Sequence, residues 1–434
     1  MFNTQRLFCY CSCCCYAVVF IVLVIDISKK VITFKLFIKM KKLPKFGTES
    51  VKGYFHARFC GKVGVVCLSK LTLGLYNTKL MRKRILGLLL CVLPFSLSAQ
   101  TDKEIAYSKA KEAIKIMDEG KLDESIRLLE ECQKLDSKNY IYPYEIAYAY
   151  VQKQEYKKAI KILNKVKKYE SINSQVYQMS GNCYSYLGKP EKAIKEYEEG
   201  MNYFPNSGNL HLEKGNIFLG QEEYQKAIEN YEKGIEVDPT FTSNYFRLAK
   251  LFLNSTDKLS GLIYGEIFMN LERTTGRTQE MSELLFNTYK YSITLGENES
   301  KIDFCKVIID ASEKTPNEDI NLPLCAIFGK NFILAVINQK TIDLNSLSQI
   351  RQKFIQNYFT EDFKNYPNVL FEYQKKLLDN NIFNAYNHYL FQIGAEEEFN
   401  NWLEANRSEY DKFVEWYTTN QNIIKITNEN KFIR

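Results

Sequence analysis

Histidines, cysteines and clustered carboxylates are the side chains most able to do nucleophilic, acid–base or metal chemistry near neutral pH. The chain has three histidines, His56, His211 and His388. His388 sits among Tyr386 and Tyr389 with no serine or cysteine nucleophile pattern beside it, and both His211 and His388 read as structural or surface residues. Cys9, Cys11, Cys13, Cys14, Cys15, Cys60, Cys67 and Cys91 all precede residue 100, leaving Cys132, Cys183, Cys305 and Cys325 in the body. Cys11 and Cys14 make a C-x-x-C, but no second pair or histidine follows at the spacing a metal site needs. The run Glu396, Glu397, Glu398 reads as a solvated helix start, favoured by the helix dipole. No glycine-rich phosphate loop, H-E-x-x-H or G-x-S-x-G occurs. The expectation is therefore no catalytic residue, no cofactor, no metal and no enzyme.

Net charge is +7 for the whole chain, but residues 1–99 hold 16 of the 58 basic side chains and only two acids, Asp26 and Glu49. Residues 100–434 carry 42 basic and 49 acidic side chains, a formal charge of −7. The basicity belongs to the leader, so a nucleic-acid partner is not expected for the body.

The leader contains an address. From Met81 the order MRKRILGLLLCVLPFSLSAQ is that of a secretory signal peptide: Arg82, Lys83 and Arg84, then an apolar core from Ile85 to Phe95, then small residues to Ala99. That core is too short for a stable membrane span. Leu90 before Cys91 is not the small residue that lipid attachment wants. Because a signal peptide works at an amino terminus, residues 1–80 read as an over-extended gene start without structure of their own, and 81–99 as the signal. The alternative is a genuine leader with a short anchor at Ala17 to Ile25.

The elements behind this address repeat. Ser125-Ile126, Ala159-Ile160, Ala193-Ile194 and Ala227-Ile228 recur at one constant step, since 159 − 125, 193 − 159 and 227 − 193 are all 34. Twelve positions before each stands another small residue: Ala113, Ala147, Gly181 and Gly215. Small residues at two fixed positions suit a helix-turn-helix unit, where larger side chains would clash at the crossing. Four positions after the second small one come Leu129, Leu163, Tyr197 and Tyr231, expected to fill the space between neighbouring units. Pro205 and Pro239 close the second helix of the third and fourth units, because proline cannot continue a helix.

Period and signature positions resemble the tetratricopeptide repeat. The units lie near 106–139, 140–173, 174–207 and 208–241, with a degenerate fifth at 242–275 in which Gly265 replaces the usual large residue. The resemblance implies an all-α fold: a right-handed solenoid over 100–277, its first helices lining a concave groove for a peptide or partner protein. The groove residues it implies are Tyr144, Tyr148, Gln152, Gln178, Asn182, Tyr186, Asn209, Asn216 and Arg247. Asn182 and Asn216 are expected to bond a ligand backbone. Some members of the family clamp a terminal carboxylate with lysine and arginine; here Gln178 and Leu212 stand where lysine is wanted, so aromatic contact through Tyr144, Tyr148 and Tyr186 is expected instead.

Beyond residue 277 the constant step stops but helical periodicity continues. Phe354, Ile355, Tyr358 and Phe359 mark one helix, Phe399, Trp402 and Leu403 another, and Tyr410, Phe413, Val414 and Tyr417 a third, with Ser408 and Asp411 resembling a capping box. GENES at 296–300 and EKTPNED at 313–319 read as loops. Residues 278–434 are expected to form a compact α-helical domain that caps the solenoid. The function expected is an exported protein-binding scaffold in the periplasm or cell envelope of a Gram-negative bacterium, with no stable membrane span in the mature chain. An envelope hydrolase or transferase with its site in 278–434, and a structural protein that self-associates, are the readings the residues leave open.

Overall fold

The computed structural model describes backbone at 7–11, 17–26, 31–40, 57–59 and 65–68, and full residues at 102–296, 301–306, 322–337 and 339–434. The signal peptide at 81–99, most of GENES and the whole of EKTPNED lie outside the described residues. Residues 1–96 and 97–434 form two separate compact units.

In the first unit β1 (Leu7–Cys11), β2 (Ala17–Asp26), β3 (Val31–Met40), β4 (Ala57–Phe59) and β5 (Val65–Leu68) pair antiparallel in the order β1-β2-β3-β5-β4. The sequence reading assigned no structure to residues 1–80. The two longest strands, AVVFIVLVID and VITFKLFIKM, pair along their whole length and are rich in the β-branched and aromatic residues that suit a pleated surface.

The second unit is built of helices. Helix α1 spans 102–118, followed by α2 (Leu122–Leu135), α3 (Ile141–Gln152), α4 (Tyr156–Val166), α5 (Gln175–Tyr186), α6 (Pro190–Tyr203), α7 (Gly208–Gly220), α8 (Tyr224–Val237), α9 (Thr242–Leu253) and α10 (Lys258–Leu271). These are five helix pairs, all-α as expected. The turn inside the first four pairs is the same each time. Gly120, Gln154, Gly188 and Glu222, each one repeat period from the next, adopt positive φ of 81°, 59°, 67° and 62°. The amide after each reaches back to a carbonyl one helical turn earlier: Lys121 to Ile116, Glu155 to Tyr150, Lys189 to Tyr184 and Glu223 to Phe218. This is the left-handed helix stop that glycine adopts without strain and other residues do not. Helices α6 and α8 end just before Pro205 and Pro239.

The small positions work differently from a simple backbone crossing. A Cβ on Gly181 would clash with Cε1 of the Tyr197 ring, and one on Gly215 would lie 2.5 Å from Cε1 of Tyr231. Each tyrosine therefore packs over the glycine of its own unit, and each also shares a core cluster with residues of the next, Tyr197 with Leu210 and Tyr231 with Tyr245. Where the small residue is alanine, Ala113 or Ala147, the partner position holds the smaller Leu129 or Leu163, and all four are fully buried. The pair conserves volume: alanine with leucine, glycine with tyrosine. In the fifth pair the size is inverted. Ala249 faces Gly265, and the space passes to Met281 and Leu285 of α11 (Gly276–Ser292).

After α11, β6 (Ile293–Thr294) and β7 (Lys301–Ile302) make a short antiparallel ladder. Then come α12 (Leu324–Val336), α13 (Leu344–Glu361), α14 (Val369–Asp379), α15 (Phe383–Phe391), α16 (Glu396–Ala405) and α17 (Arg407–Thr418). The three helices expected from periodicity are α13, α16 and α17. The capping box is not present: α17 starts at Arg407, and Asp411 accepts from Arg407 Nε at 3.0 Å one turn along. Glu398 also does more than face water, because its carboxylate accepts the Leu344 amide at the start of α13 at 2.6 Å. Helix α11 crosses the 277/278 junction, and one apolar core runs unbroken from Leu212 to Ile426. Every residue of α10 from Leu259 to Asn270 is buried, as the mostly apolar run LSGLIYGEIFMN, apolar on all sides of the helix, demands.

One charge in α10, Glu266, ties this core together. Both its carboxylate oxygens accept from Arg351 Nη2 at 2.6 Å, and one also accepts from Gln374 at 2.7 Å and Tyr386 at 2.8 Å. Arg351 further donates to Asn387. Glu266 and Arg351 are each 2% exposed. A buried pair is tolerable only when satisfied in this way.

Candidate functional site

Successive first helices α3, α5, α7 and α9 lie side by side and present one continuous face. Residues one repeat period apart occupy equivalent places on it, so the nine expected residues fall into rows. Tyr148, Asn182 and Asn216 form one, Tyr144 and Gln178 another, Gln152 and Tyr186 a third; Asn209 and Arg247 stand in two more.

The structure joins some of these residues and separates others. Ser174 Oγ donates to Asn209 Oδ1 at 3.0 Å, Asn209 Nδ2 to Gln178 Oε1 at 2.8 Å, and Gln178 Nε2 to Glu213 Oε1 at 2.8 Å. Asn216 Nδ2 donates to the other Glu213 oxygen at 3.1 Å, and Tyr231 Oη donates to Asn216 Oδ1 at 2.9 Å. Gln178, Asn209 and Asn216 are thus one network through Glu213, a residue the sequence reading omitted. Asn182 stands apart. Its Oδ1 accepts from Tyr197 Oη at 2.6 Å, while no protein acceptor among the described residues takes its Nδ2. The same ring that fills Gly181 therefore fixes the Asn182 amide with its donor side outward. A Gly-Asn pair followed by a tyrosine at the large position of the same unit was the readable sign.

The tyrosines are of two kinds. Tyr144 is half-buried against Tyr140, and burial pushes its hydroxyl up to about 12. Tyr148 and Tyr186 are exposed, Tyr186 with its ring 5.1 Å from that of Tyr156. Gln152 is exposed at the end of α3, and half-buried Arg247 makes no ion pair among the described residues. Tyr107 and Ile114 on α1, the first helix of the first pair, and Ile141 on α3 are exposed as well, in the rows of Asn209 and Tyr148.

The repeats match a known family. Residues 144–173, 174–207 and 209–241 each match the family model described as tetratricopeptide repeat. The chain carries tetratricopeptide repeats. Such repeats bind protein or peptide partners. Solved tetratricopeptide structures similar to it include MamA 41-end from Desulfovibrio magneticus RS-1, at 19% identity over 39% of this chain and 97% of that one, TM-score 0.31. PilF of Pseudomonas aeruginosa is 16% identical over 44% of this chain and 86% of its own, TM-score 0.36. YrrB, titled a TPR protein with an unusual peptide-binding site, is 16% identical over 42% and 94%, TM-score 0.28. No curated protein matches.

Away from these residues the histidines and free thiols of the helices are buried or half-buried, and His211 Nδ1 has no hydrogen-bond partner among the described residues. His388 is fully buried, stacked on Trp402 at 3.9 Å and bonded to the Asn384 carbonyl and Asn345 Oδ1. Burial lowers its pKa to about 4 and that of His211 likewise. Cys132 and Cys183 are buried free thiols, the second pushed up to about 12 by burial. Cys305 and Cys325 form a disulfide, which the sequence reading missed because two isolated cysteines carry no distinctive spacing. Among the described residues no three metal-ligating side chains converge, and no helix is long and apolar enough to cross a membrane.

Proposed function

We propose that the face of the first helices is the concave groove of an exported scaffold, which holds a peptide or partner protein and does no chemistry on it. The observation that carries this reading is the recurrence of exposed apolar side chains at equivalent positions: Tyr107 with Ile141, Ile114 with Tyr148, and Tyr186 beyond. Beside them stands Asn182 with its donor held outward by Tyr197. Rigid aromatic anchors next to oriented amides suit recognition of an extended segment at low entropic cost. Export rests on the signal-like order at 81–99, and the Cys305–Cys325 disulfide fits an oxidising compartment such as the periplasm.

The test is capture of partners from an envelope extract on immobilised protein, beside a variant carrying Asn182→Ala, Asn216→Ala and Tyr148→Ala. Partners held by the wild type and lost by an equally stable variant support the groove. Identical capture by both proteins rules it out as the working surface.

A further inference from the structure

Resting on that groove reading, we infer that the segment held by the first four repeats carries a lysine or arginine flanked by apolar residues. Two independent features meet on the same face. The first is apolar: Tyr107, Ile114, Ile141, Tyr148 and Tyr186 are between 37% and 61% exposed. The second is acidic. Glu145 stands between Tyr144 and Tyr148 in sequence on α3, half-buried, without a hydrogen bond or ion pair among the described residues. Its carboxyl is pushed up by burial first and by the nearby Asp118 carboxylate second. Glu213, in the equivalent place two units further on, accepts from the neutral amides of Gln178 and Asn216 and from no cation among the described residues.

The chain's own cations do not supply the missing charge. Lys111 lies over the Tyr107 ring, 4.5 Å from its centre. Lys153 pairs with Asp123, Lys214 with Glu198, and Lys250 with Glu280. Arg247, on α9, pairs with none of these carboxylates. The middle of the face is thus lined by tyrosine rings and by carboxylates that form no ion pair among the described residues; Arg247, whose charge reaches the Tyr231 hydroxyl as that of Glu213 does, stands at the fourth-unit end, and Glu145 has no such neighbour. A partner lysine or arginine fits both at once: its aliphatic stem lies on the rings, its charge meets Glu145, and a tyrosine face adds a cation–π contact. An acidic segment, or a terminal carboxylate, meets repulsion in the same place.

Three labelled twelve-residue peptides separate the possibilities: leucine and tyrosine alternating with lysine, the same peptide with norleucine for lysine, and the same with glutamate for lysine. Fluorescence anisotropy on the purified protein should rank them lysine, norleucine, glutamate, with about tenfold between the first and last for a partly desolvated ion pair. Glu145→Gln should weaken the lysine peptide severalfold and leave the norleucine peptide unchanged. Glu229→Gln, on the outer helix α8, should change neither. Equal affinity for all three peptides, all weakened by Tyr148→Ala, overturns the charge preference and leaves the groove reading standing. Binding that ignores Tyr148→Ala, or no binding of any peptide, overturns both.

Discussion

Substituting Gly181 by alanine places a methyl group where the Tyr197 ring already sits, with Cδ1 at 2.6 Å and Cζ at 2.7 Å from the new Cβ. Unstrained carbon contacts lie at about 3.5–4.0 Å and Cε1 is closer still, so the ring must retreat by about 1.5 Å. Tyr197 is fully buried and its hydroxyl is bonded to Asn182, so the ring cannot swing aside without giving up that bond. Overpacking of this kind costs about 1–3 kcal/mol, while alanine improves on glycine in a helix by about 1 kcal/mol. Gly181→Ala should therefore destabilise by about 1 kcal/mol, the overpacking outweighing the propensity gain. In a Tyr197→Leu background the pair becomes that of the second unit, Ala147 with Leu163, and the same substitution should stabilise by about 1 kcal/mol through helix propensity alone. The coupling in the cycle is then about 2 kcal/mol. Urea unfolding followed by circular dichroism measures it, with hydrogen exchange of the α5 and α6 amides confirming that the effect is local. A Gly181→Ala effect equal in both backgrounds to within about 0.5 kcal/mol would refute the volume-pair argument.

Glu222→Gly should stabilise the fourth unit by about 0.5–1 kcal/mol, since it removes a side chain from positive φ where Gly120 and Gly188 already serve, and thermal melting will show it. Glu266→Gln leaves Arg351 buried without its counter-charge and should cost about 3–5 kcal/mol; Glu266→Met with Arg351→Met should recover part of that in the same denaturation assay. His388 is held neutral in the fold, at about 4 against an ordinary 6.5, so its contribution is complete above pH 6.5 and is lost as pH falls towards 4. The loss amounts to about 3 kcal/mol, and His388→Gln should flatten that part of the stability–pH profile, with Trp402 fluorescence as a local probe. Reducing the Cys305–Cys325 disulfide frees a loop of about 20 residues and should cost about 3 kcal/mol, read as a lower melting temperature in reductant.

The repeats were legible because their determinants are local and periodic. A helix crossing admits only certain sizes, and the same sizes return once in every unit. Gly181 and Tyr197 were visible as signature positions, but that they touch each other, and that Asn182 is thereby oriented, required the ring to be placed. Glu213 escaped because a glutamate on a helix surface is ordinary until two amides are found on its oxygens. Glu266 and Arg351 lie far apart in the chain, one in the last repeat and one well beyond it, and no period links them. The one sign was a charge within the apolar run of α10. Positive φ at Gln154 and Glu222 was hidden for a related reason: the turn needs a left-handed residue, and only half of the units advertise it with glycine.

Because the large core begins at Leu212 while the first three units hold small clusters of their own, cohesion along the array is graded. Helix α10 is gripped on all sides, and α1 is gripped on one. Opening should therefore start at α1 and travel toward α9, so that the aromatic end of the face loosens before the amide end. A bound segment that spans both ends would act as a splint, lending the early units some of the rigidity that the later ones draw from the carboxy-terminal helices.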